Sequence, residues 1–277
     1  MEILYTAQDL INWRDSQPQS SIGFVPTMGA LHQGHLSLVD QSKLENEAVL
    51  VSIFVNPTQF NDPQDFKNYP STIDADLALL KDLNVDAVFV PSVLEMYPDL
   101  IKESFHVSIL TETLEAKMRP GHFDGVITII RKLFDLAQAS KVYLGEKDFQ
   151  QLSIIQAWVK KEGRKEVIVP CPTLREPNGL AMSSRNVRLS ESGRKKAALI
   201  HQILQEVKLQ KTHQSPSDLE IWARSEFLLH PEFQLEYFEI IDAHSFGPLA
   251  DWQDSDAPLA VVATFIEGVR LIDNLRL

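Results

Sequence analysis

The chain of 277 residues has a single cysteine, Cys171, so no disulfide can form within it. A lone thiol fits a reducing compartment, and the plain reading of Cys171 is a small core residue. Long apolar runs are also missing: none approaches the roughly 20 residues needed to span a bilayer. The opening stretch "MEILYTAQDLINW" carries no basic segment followed by a long apolar one, so it does not read as a signal peptide. The expected location is the cytoplasm. Positive charge is scarce, with 26 Lys and Arg against 38 Asp and Glu, a formal net charge of −12. That argues against nucleic acid as a bulk partner, because a phosphate backbone needs a basic face. It leaves room for one small anion in a locally basic pocket. No internal repeat or low-complexity tract is present.

What is there alternates. Short runs rich in Val and Ile, "SIGFV" (21–25), "AVLVSIFV" (48–55), "DAVFV" (86–90), "KVYLG" (141–145) and "EVIVP" (166–170), are almost continuously apolar. Parallel strands covered by helices on both faces read this way. Helical patterns lie between them: one starting near Gly34, then 72–83, 123–138 and 148–161. Strand and helix in alternation predict an α/β fold with a doubly wound, Rossmann-like parallel sheet. The pattern changes after Cys171. A turn-rich stretch (175–190) is followed by helix candidates near 190–209 and 216–229 and strand candidates at 235–242 and 258–275, which suggests a smaller α+β domain. The expected division is 1–172 and 173–277. "KTHQSPSDLE" (211–220) is the best candidate for a mobile surface loop.

"VPTMGALHQGHLSLV" (25–39) sits where the first of these strands turns into a helix. Ligands of open α/β sheets bind beyond the carboxyl ends of the strands. The unpaired N–H groups and positive end of the following helix favour an anion there. Gly29 and Gly34 let the backbone come close to a ligand. His32 and His35, three apart, can point at one phosphate, with a stronger hydrogen bond if protonated. A metal site is an alternative, although no third ligand stands at a familiar spacing. Ordinary core or surface histidines are another.

Four further islands are polar at unusual places. "SIFVNPTQF" (52–60) puts Asn56 and Gln59 at a strand's carboxyl end, suited to a substrate with hydroxyl and carboxylate groups, or else forms a simple turn. "MRPGHFDGV" (118–126) combines Arg119, His122 and Asp124 before a helix, either as a third ligand loop or as a helix-capping turn. "YLGEKDFQQL" (143–152) follows a strand and opens a helix on which Lys147 and Gln151 share a face. A lysine at a helix start opposes the dipole, a conflict that an anion would resolve. "REPNGLAMSSRN" (175–186) offers two serines and Arg185 on a flexible turn that could grip and release pyrophosphate, or serves as a serine-rich linker.

Taken together and in this order, the five islands resemble the pantoate–β-alanine ligase family. The matching segments span roughly residues 20–190; the last third matches in length and pattern more than in motif. The family belongs to the nucleotidyl-transferring α/β proteins with an H-x-G-H signature. The resemblance implies that ATP and pantoate, with Mg²⁺, give pantoyl adenylate and pyrophosphate, and that β-alanine then attacks the adenylate to release pantothenate and AMP. It further implies a cytoplasmic homodimer with a C-terminal lid domain. Carried onto this chain, it implies an ATP loop of Met28, Gly29, Ala30, Leu31, His32, Gln33, Gly34 and His35, with both histidines at the phosphates and His35 as the named proton donor. Charge stabilisation is the larger contribution expected of His35, because pyrophosphate already leaves readily. Gly145, Glu146, Lys147, Asp148, Leu174 and Met182 would hold the nucleotide, Leu174 through its backbone. Lys147, Ser183, Ser184 and Arg185 would neutralise the phosphates. Gln59 and Gln151 would bind pantoate, Gln59 also lying near β-alanine, with Asn56 and Arg119 at the same end. No metal ligands are implied.

The chain departs from the family's usual pattern at Ser71, where arginine is common, and at Asn178, where aspartate is common. Two rivals deserve comparison: an H-x-G-H enzyme that adenylates a phosphomonoester, and a non-catalytic nucleotide-binding regulator. The first would need basic residues where this chain has Asn56 and Gln59. The second has no use for His32, His35, Lys147 and Arg185 together.

Overall fold

A computed structural model describes residues 1–17, 21–99, 105–106 and 108–277. The chain divides into two compact units, Met1–Pro172 and Thr173–Leu277.

In the first unit, β1 (Glu2–Leu4), β2 (Ile22–Thr27), β3 (Ala48–Ile53), β4 (Ala87–Phe89), β5 (Lys141–Gly145) and β6 (Val167–Cys171) form one sheet in the order β1-β4-β3-β2-β5-β6. Every pairing in it is parallel. The central strands are apolar on both faces because helices cover both: all six residues of β3 are buried. Val25, Val49, Val51, Val88 and Leu80 meet in one cluster, each worth about 1.5–3 kcal/mol when fully buried. The helices are α1 (Ala7–Asp15), α2 (Gln33–Glu45), α3 (Pro63–Lys67), α4 (Ile73–Asp82), α5 (Val93–Met96), α6 (Leu114–Met118), α7 (His122–Ala137) and α8 (Phe149–Lys161). After β2 the chain builds outward through β3 and β4, then returns to place β5 on the other side of β2. The order therefore reverses between β2 and β5, which is where ligands of such sheets bind. Cys171 is buried at the end of β6, and burial, with Glu45 and Glu146 nearby, pushes its thiol up to about 11.

In the second unit, α9 (Glu191–Lys196), α10 (Leu199–Gln210) and α11 (Pro216–Leu228) precede β7 (Phe233–Asp242), β8 (Pro258–Ile266) and β9 (Val269–Arg276). The three strands form an antiparallel sheet, β7-β8-β9. Ile203, Leu204, Val207, Leu219, Ala223 and Phe227 share one core with Phe238, Ile240, Ala260 and Val262 from the strands.

Three sequence expectations change here. The stretch 258–275 is two strands, joined at Glu267 (φ 51°) and Gly268 (φ 73°), a two-residue hairpin turn with both central residues left-handed. The helix expected over 190–209 is interrupted between Lys196 and Leu199. The loop expected at 211–220 overlaps the helix expected at 216–229, and the helix prevails from Pro216, with Ser215 as N-cap and the Gln214 carbonyl accepting a hydrogen bond from Trp252 Nε1 at 2.7 Å. Among the described residues, no helix is long and apolar enough to cross a membrane.

Candidate active site

The loop leaving β2 carries two consecutive left-handed residues, Gly29 (φ 78°) and Ala30 (φ 49°). The second costs about 1–3 kcal/mol in a residue with a Cβ, so its surroundings must impose it. A Cβ at Gly29 would lie 3.0 Å from Ile53 and 3.1 Å from Asp76 Oδ2, leaving no slack. Thr27 Oγ1 accepts from the Gly29 N–H at 3.2 Å, and the Asp76 carboxylate accepts from the N–H groups of Ala30 and Leu31, both at 2.8 Å.

The two histidines then cap the helix they open. His32 is the N-cap of α2, its Nδ1 accepting from the Gly34 N–H at 3.1 Å, while His35 Nδ1 accepts from the His32 N–H at 3.4 Å. This is a capping box with imidazoles in place of the usual hydroxyl and carboxylate. Because each Nδ1 accepts, each ring carries its hydrogen on Nε2. The ring centroids are 4.1 Å apart. Burial, then His32, then Lys147 push His35 down to about 3, so it is a neutral donor at physiological pH. Burial thus works against the protonated form of His35, and the amides of Gly29, Ala30, Leu31, His32 and Gly34 bond protein acceptors. The histidine Nε2 edges are donors that this loop can offer an anion.

β5 lies beside β2, pairing Gly23 with Lys141 and Phe24 with Val142, so its exit is next to the histidine loop. The strand ends at Gly145, and Glu146–Asp148 make one 3-10 turn ahead of α8. Lys147 therefore stands before the helix, which corrects its sequence-based placement on α8 with a face shared with Gln151. Its Nζ is 3.4 Å from both oxygens of Asp148. The neighbouring glutamines diverge. Gln150 is buried and bonds Leu110, Thr113 and Glu115 through their backbone, whereas Gln151 is half-buried.

At the exit of β3, Asn56 is 1% exposed and turned into the protein, which corrects its reading as a residue lining the ligand. Its Oδ1 accepts from Tyr97 Oη at 2.8 Å, and its Nδ2 donates to Gln59 Oε1 and to the Gly125 carbonyl, each at 3.1 Å. Asn56 thus sets the side chain of Gln59, whose Nε2 lies 2.9 Å from Met28 Sδ in the histidine loop. Two more residues hold Gln59 by its backbone. His122, 7% exposed, has Nδ1 2.6 Å from the Gln59 carbonyl and Nε2 3.2 Å from Arg119 Nη1, and Arg119 Nη2 donates to the same carbonyl at 3.3 Å. The carbonyl can only accept and the guanidinium can only donate, so His122 carries its hydrogen on Nδ1. Burial and then Arg119 push it down to about 3, against the pull of the carbonyl. Gly125 of α7 makes this close packing possible: a Cβ there would lie 2.4 Å from the Thr58 carbonyl oxygen.

The first unit thus brings Met28–His35, Asn56, Gln59 and Lys147 to neighbouring strand exits, with Arg119, at the end of α6, bonded to Gln59. Sequence reasoning missed Asp76 and Tyr97 as supports and left the Arg119, His122 and Asp124 group open between a third ligand loop and a helix-capping turn. The only signal for His122 was its company with Arg119 in "RPGHFDG"; Asp76 is one of two acids in the first turn of α4, a common place for them.

The remaining candidates stand in the second unit. Leu174 is 40% exposed, and its carbonyl accepts from the Met182 N–H at 3.0 Å. An isolated antiparallel bridge joins Arg175 to Ala181, and Arg175 makes a two-pronged ion pair with buried Asp273 at 2.6 and 3.0 Å. Asn186 bonds Glu176 at 2.9 Å and the Ala181 carbonyl at 3.1 Å. Ser183 caps the 3-10 turn Ser184–Arg188 by accepting from the Arg185 N–H, and Ser184 is buried. The segment is a bonded turn, where the sequence had left a gripping turn and a serine-rich linker open. Asn178 suits it: Oδ1 accepts from the Leu180 N–H at 3.1 Å, and Nδ2 donates to the Arg194 carbonyl at 3.2 Å, which an aspartate could not do. Ser71 is exposed.

Comparison with known proteins gives a consistent result. The sequence profile described as pantoate–β-alanine ligase matches residues 2–276. A Porphyromonas gingivalis protein named pantothenate synthetase is 42% identical over 278 residues, covering 100% of this chain and 99% of its own. The crystal structure of pantothenate synthetase from Thermus thermophilus is similar with a TM-score of 0.93 at 39% identity, covering 99% of each chain. That of the Francisella tularensis pantoate–β-alanine ligase, complexed with β-γ ATP and β-alanine, has a TM-score of 0.83 at 37% identity and covers 100% of this chain and 97% of its own.

Proposed function

The chain belongs to the pantoate–β-alanine ligase family and is a ligase; from that premise we propose that it joins pantoate to β-alanine through an acyl adenylate formed from ATP. In the first step a carboxylate oxygen of pantoate attacks the α-phosphorus of ATP, the bond to the β-phosphate oxygen breaks, and pyrophosphate leaves. In the second, the amine of β-alanine attacks the acyl carbon, the bond to AMP breaks, and the nitrogen gives up a proton. The products are pantothenate and AMP. The Francisella tularensis relative was crystallised with a form of ATP and with β-alanine, which supports both as substrates here.

One observation carries this reading: two imidazoles 4.1 Å apart and Lys147 meet where the strand order reverses, beside a glutamine fixed at both ends. His35, neutral, donates from Nε2 to developing phosphate charge, and Lys147 supplies the positive charge there. Neutral Gln59 and Gln151 orient pantoate without quenching its nucleophilic carboxylate, as an arginine clamp would. Following the family resemblance, Met28–His35, Gly145–Asp148, Leu174 and Met182–Arg185 are assigned to the nucleotide, and Ser183, Ser184 and Arg185 to phosphate charge. Arg119 and Asn56 are assigned to holding Gln59 at the pantoate end.

Mg²⁺ enters as the ion carried on ATP. Mg²⁺ usually keeps its waters and substrate phosphates instead of an all-protein cage. No step is assigned to it. A homodimer in the cytoplasm completes the reading, the assembly being measurable by light scattering.

The test is exchange of labelled pyrophosphate into ATP. It requires pantoate and Mg²⁺ and proceeds without β-alanine if the adenylate comes first. Exchange that depends on β-alanine would overturn the order of steps. Exchange without pantoate would point to a different acceptor.

A further inference from the structure

Asp76 lies on α4, far along the chain from the histidine loop, yet its carboxylate is 1% exposed and spent on that loop. Its two oxygens accept the N–H groups of Ala30 and Leu31 at 2.8 Å, and a third donor, Thr72 Oγ1, reaches Oδ1 at 3.1 Å. Thr72 is the N-cap of α4, but its hydroxyl makes no capping bond to the helix and goes to Asp76 instead. A favourable local bond has been given up to complete the carboxylate's shell.

The place where Asp76 acts is also the place where the loop is under strain. Ala30 is left-handed and follows a left-handed glycine. A single carboxylate bonding two successive amides holds such a turn by charge-assisted hydrogen bonds. The next residue after Leu31 is His32, the N-cap whose amide is bonded to His35. A change in the turn at Ala30 therefore re-aims the cap, and with it both Nε2–H groups.

We propose that Asp76 is a positioning residue for the nucleotide, holding the left-handed turn at Gly29–Ala30 so that His32 and His35 present their Nε2 edges to the phosphates. This rests on the reading of Met28–His35 as the ATP loop. In Asp76→Asn one oxygen becomes an NH₂ group facing an amide that needs an acceptor. The turn then loses one of its two bonds and gains a donor–donor contact.

The experiment compares wild type and Asp76→Asn by calorimetric titration with ATP in the absence of pantoate, and by pyrophosphate exchange. Wild type is the check on the underlying reading: if it neither binds ATP nor exchanges pyrophosphate with pantoate present, that reading fails and not this one. With wild type active, Asp76→Asn should weaken ATP binding and lower kcat/KM for ATP at least tenfold, with the KM for pantoate within twofold of wild type. A variant with a lower Tm but unchanged KM for ATP and unchanged kcat per folded enzyme would show Asp76 to be merely structural and overturn the proposal. Should Asp76→Asn fail to fold, the exposed Thr72→Val decides: a two- to fivefold rise in the KM for ATP alone supports the proposal, and no change overturns it.

Discussion

His122 Nδ1 lies 2.6 Å from the carbonyl oxygen of Gln59, a residue that comes from a distant part of the sequence, the loop after β3. The imidazole links that carbonyl to the guanidinium of Arg119 only while its Nε2 is unprotonated. Protonation would set a cation against a cation. The bond is therefore a statement about charge as well as position.

Acid should test it. His122 is pushed down to about 3, below its unfolded value near 6.5. Between those values the unfolded chain binds a proton that the folded chain refuses, so this group's contribution is whole above about pH 6.5 and is lost as pH falls. The loss approaches about 1.4 kcal/mol per pH unit. Urea unfolding at pH 7.0 and 5.0 should show wild type losing roughly 2 kcal/mol more than His122→Gln over that interval. Equal losses in the two proteins would mean that His122 is not buried neutral.

Lys147 and His35 separate chemistry from folding. Replacing either by Ala should cost about 3–4 kcal/mol in the adenylation barrier, the scale of a lost oxyanion donor. Lys147→Ala should lose little stability through its contact with Asp148, a partly exposed ion pair of the weak kind. His35→Ala also strips the acceptor from the His32 amide and should lose a further 0.5–2 kcal/mol or so of stability, as a lost cap does. Near-normal pyrophosphate exchange in Lys147→Ala would remove it from the phosphates.

Gly125→Ala would normally favour a helix by up to about 1 kcal/mol. Here the new Cβ would meet the Thr58 carbonyl oxygen at 2.4 Å and the Gln59 nitrogen at 2.8 Å, both backbone atoms that cannot swing aside. The expected result is a net loss of about 1–3 kcal/mol and a raised KM for pantoate, with ATP affinity unchanged. A stabilised variant with wild-type kinetics would show that α7 and the Gln59 turn are not packed as described.

Gln151→Ala should raise the KM for pantoate and lower kcat, because in-line attack depends on orientation. ATP binding without pantoate should stay at its wild-type level. Loss of ATP affinity with an unchanged KM for pantoate would put the pantoate pocket at the wrong end.

Much of the architecture was legible because burial writes itself into composition. β5 is apolar and buried from Val142 to Leu144, and it starts and stops where its pattern does, at Lys141 and Gly145. β1 was not legible: three residues on an edge leave too little period to read. The β8–β9 turn was hidden because Glu267 is an unusual left-handed residue, so Glu-Gly did not register as a hairpin signal. At the site, the residue types were visible but not the direction of their bonds. Asn56 looks like a ligand-facing amide until its partners, Tyr97 and Gly125, are known to lie far along the chain. Asp76 looks like a dipole-favouring acid, and only the fold reveals that its carboxylate answers to Ala30 and Leu31. Local patterns carry period; they do not carry contacts between distant segments.

The strand order also sets a schedule for synthesis. β1 pairs residue 2 with residue 87, and the far edge of the same sheet closes only at Cys171. At about 5–20 residues per second on the ribosome, roughly ten to thirty seconds pass between the first strand and the last. Throughout that time apolar strands such as β3 stand without their full set of neighbours, whereas β8 and β9 of the second unit find each other across two residues. The nascent first unit is thus the part of this protein whose apolar strands wait longest for their partners.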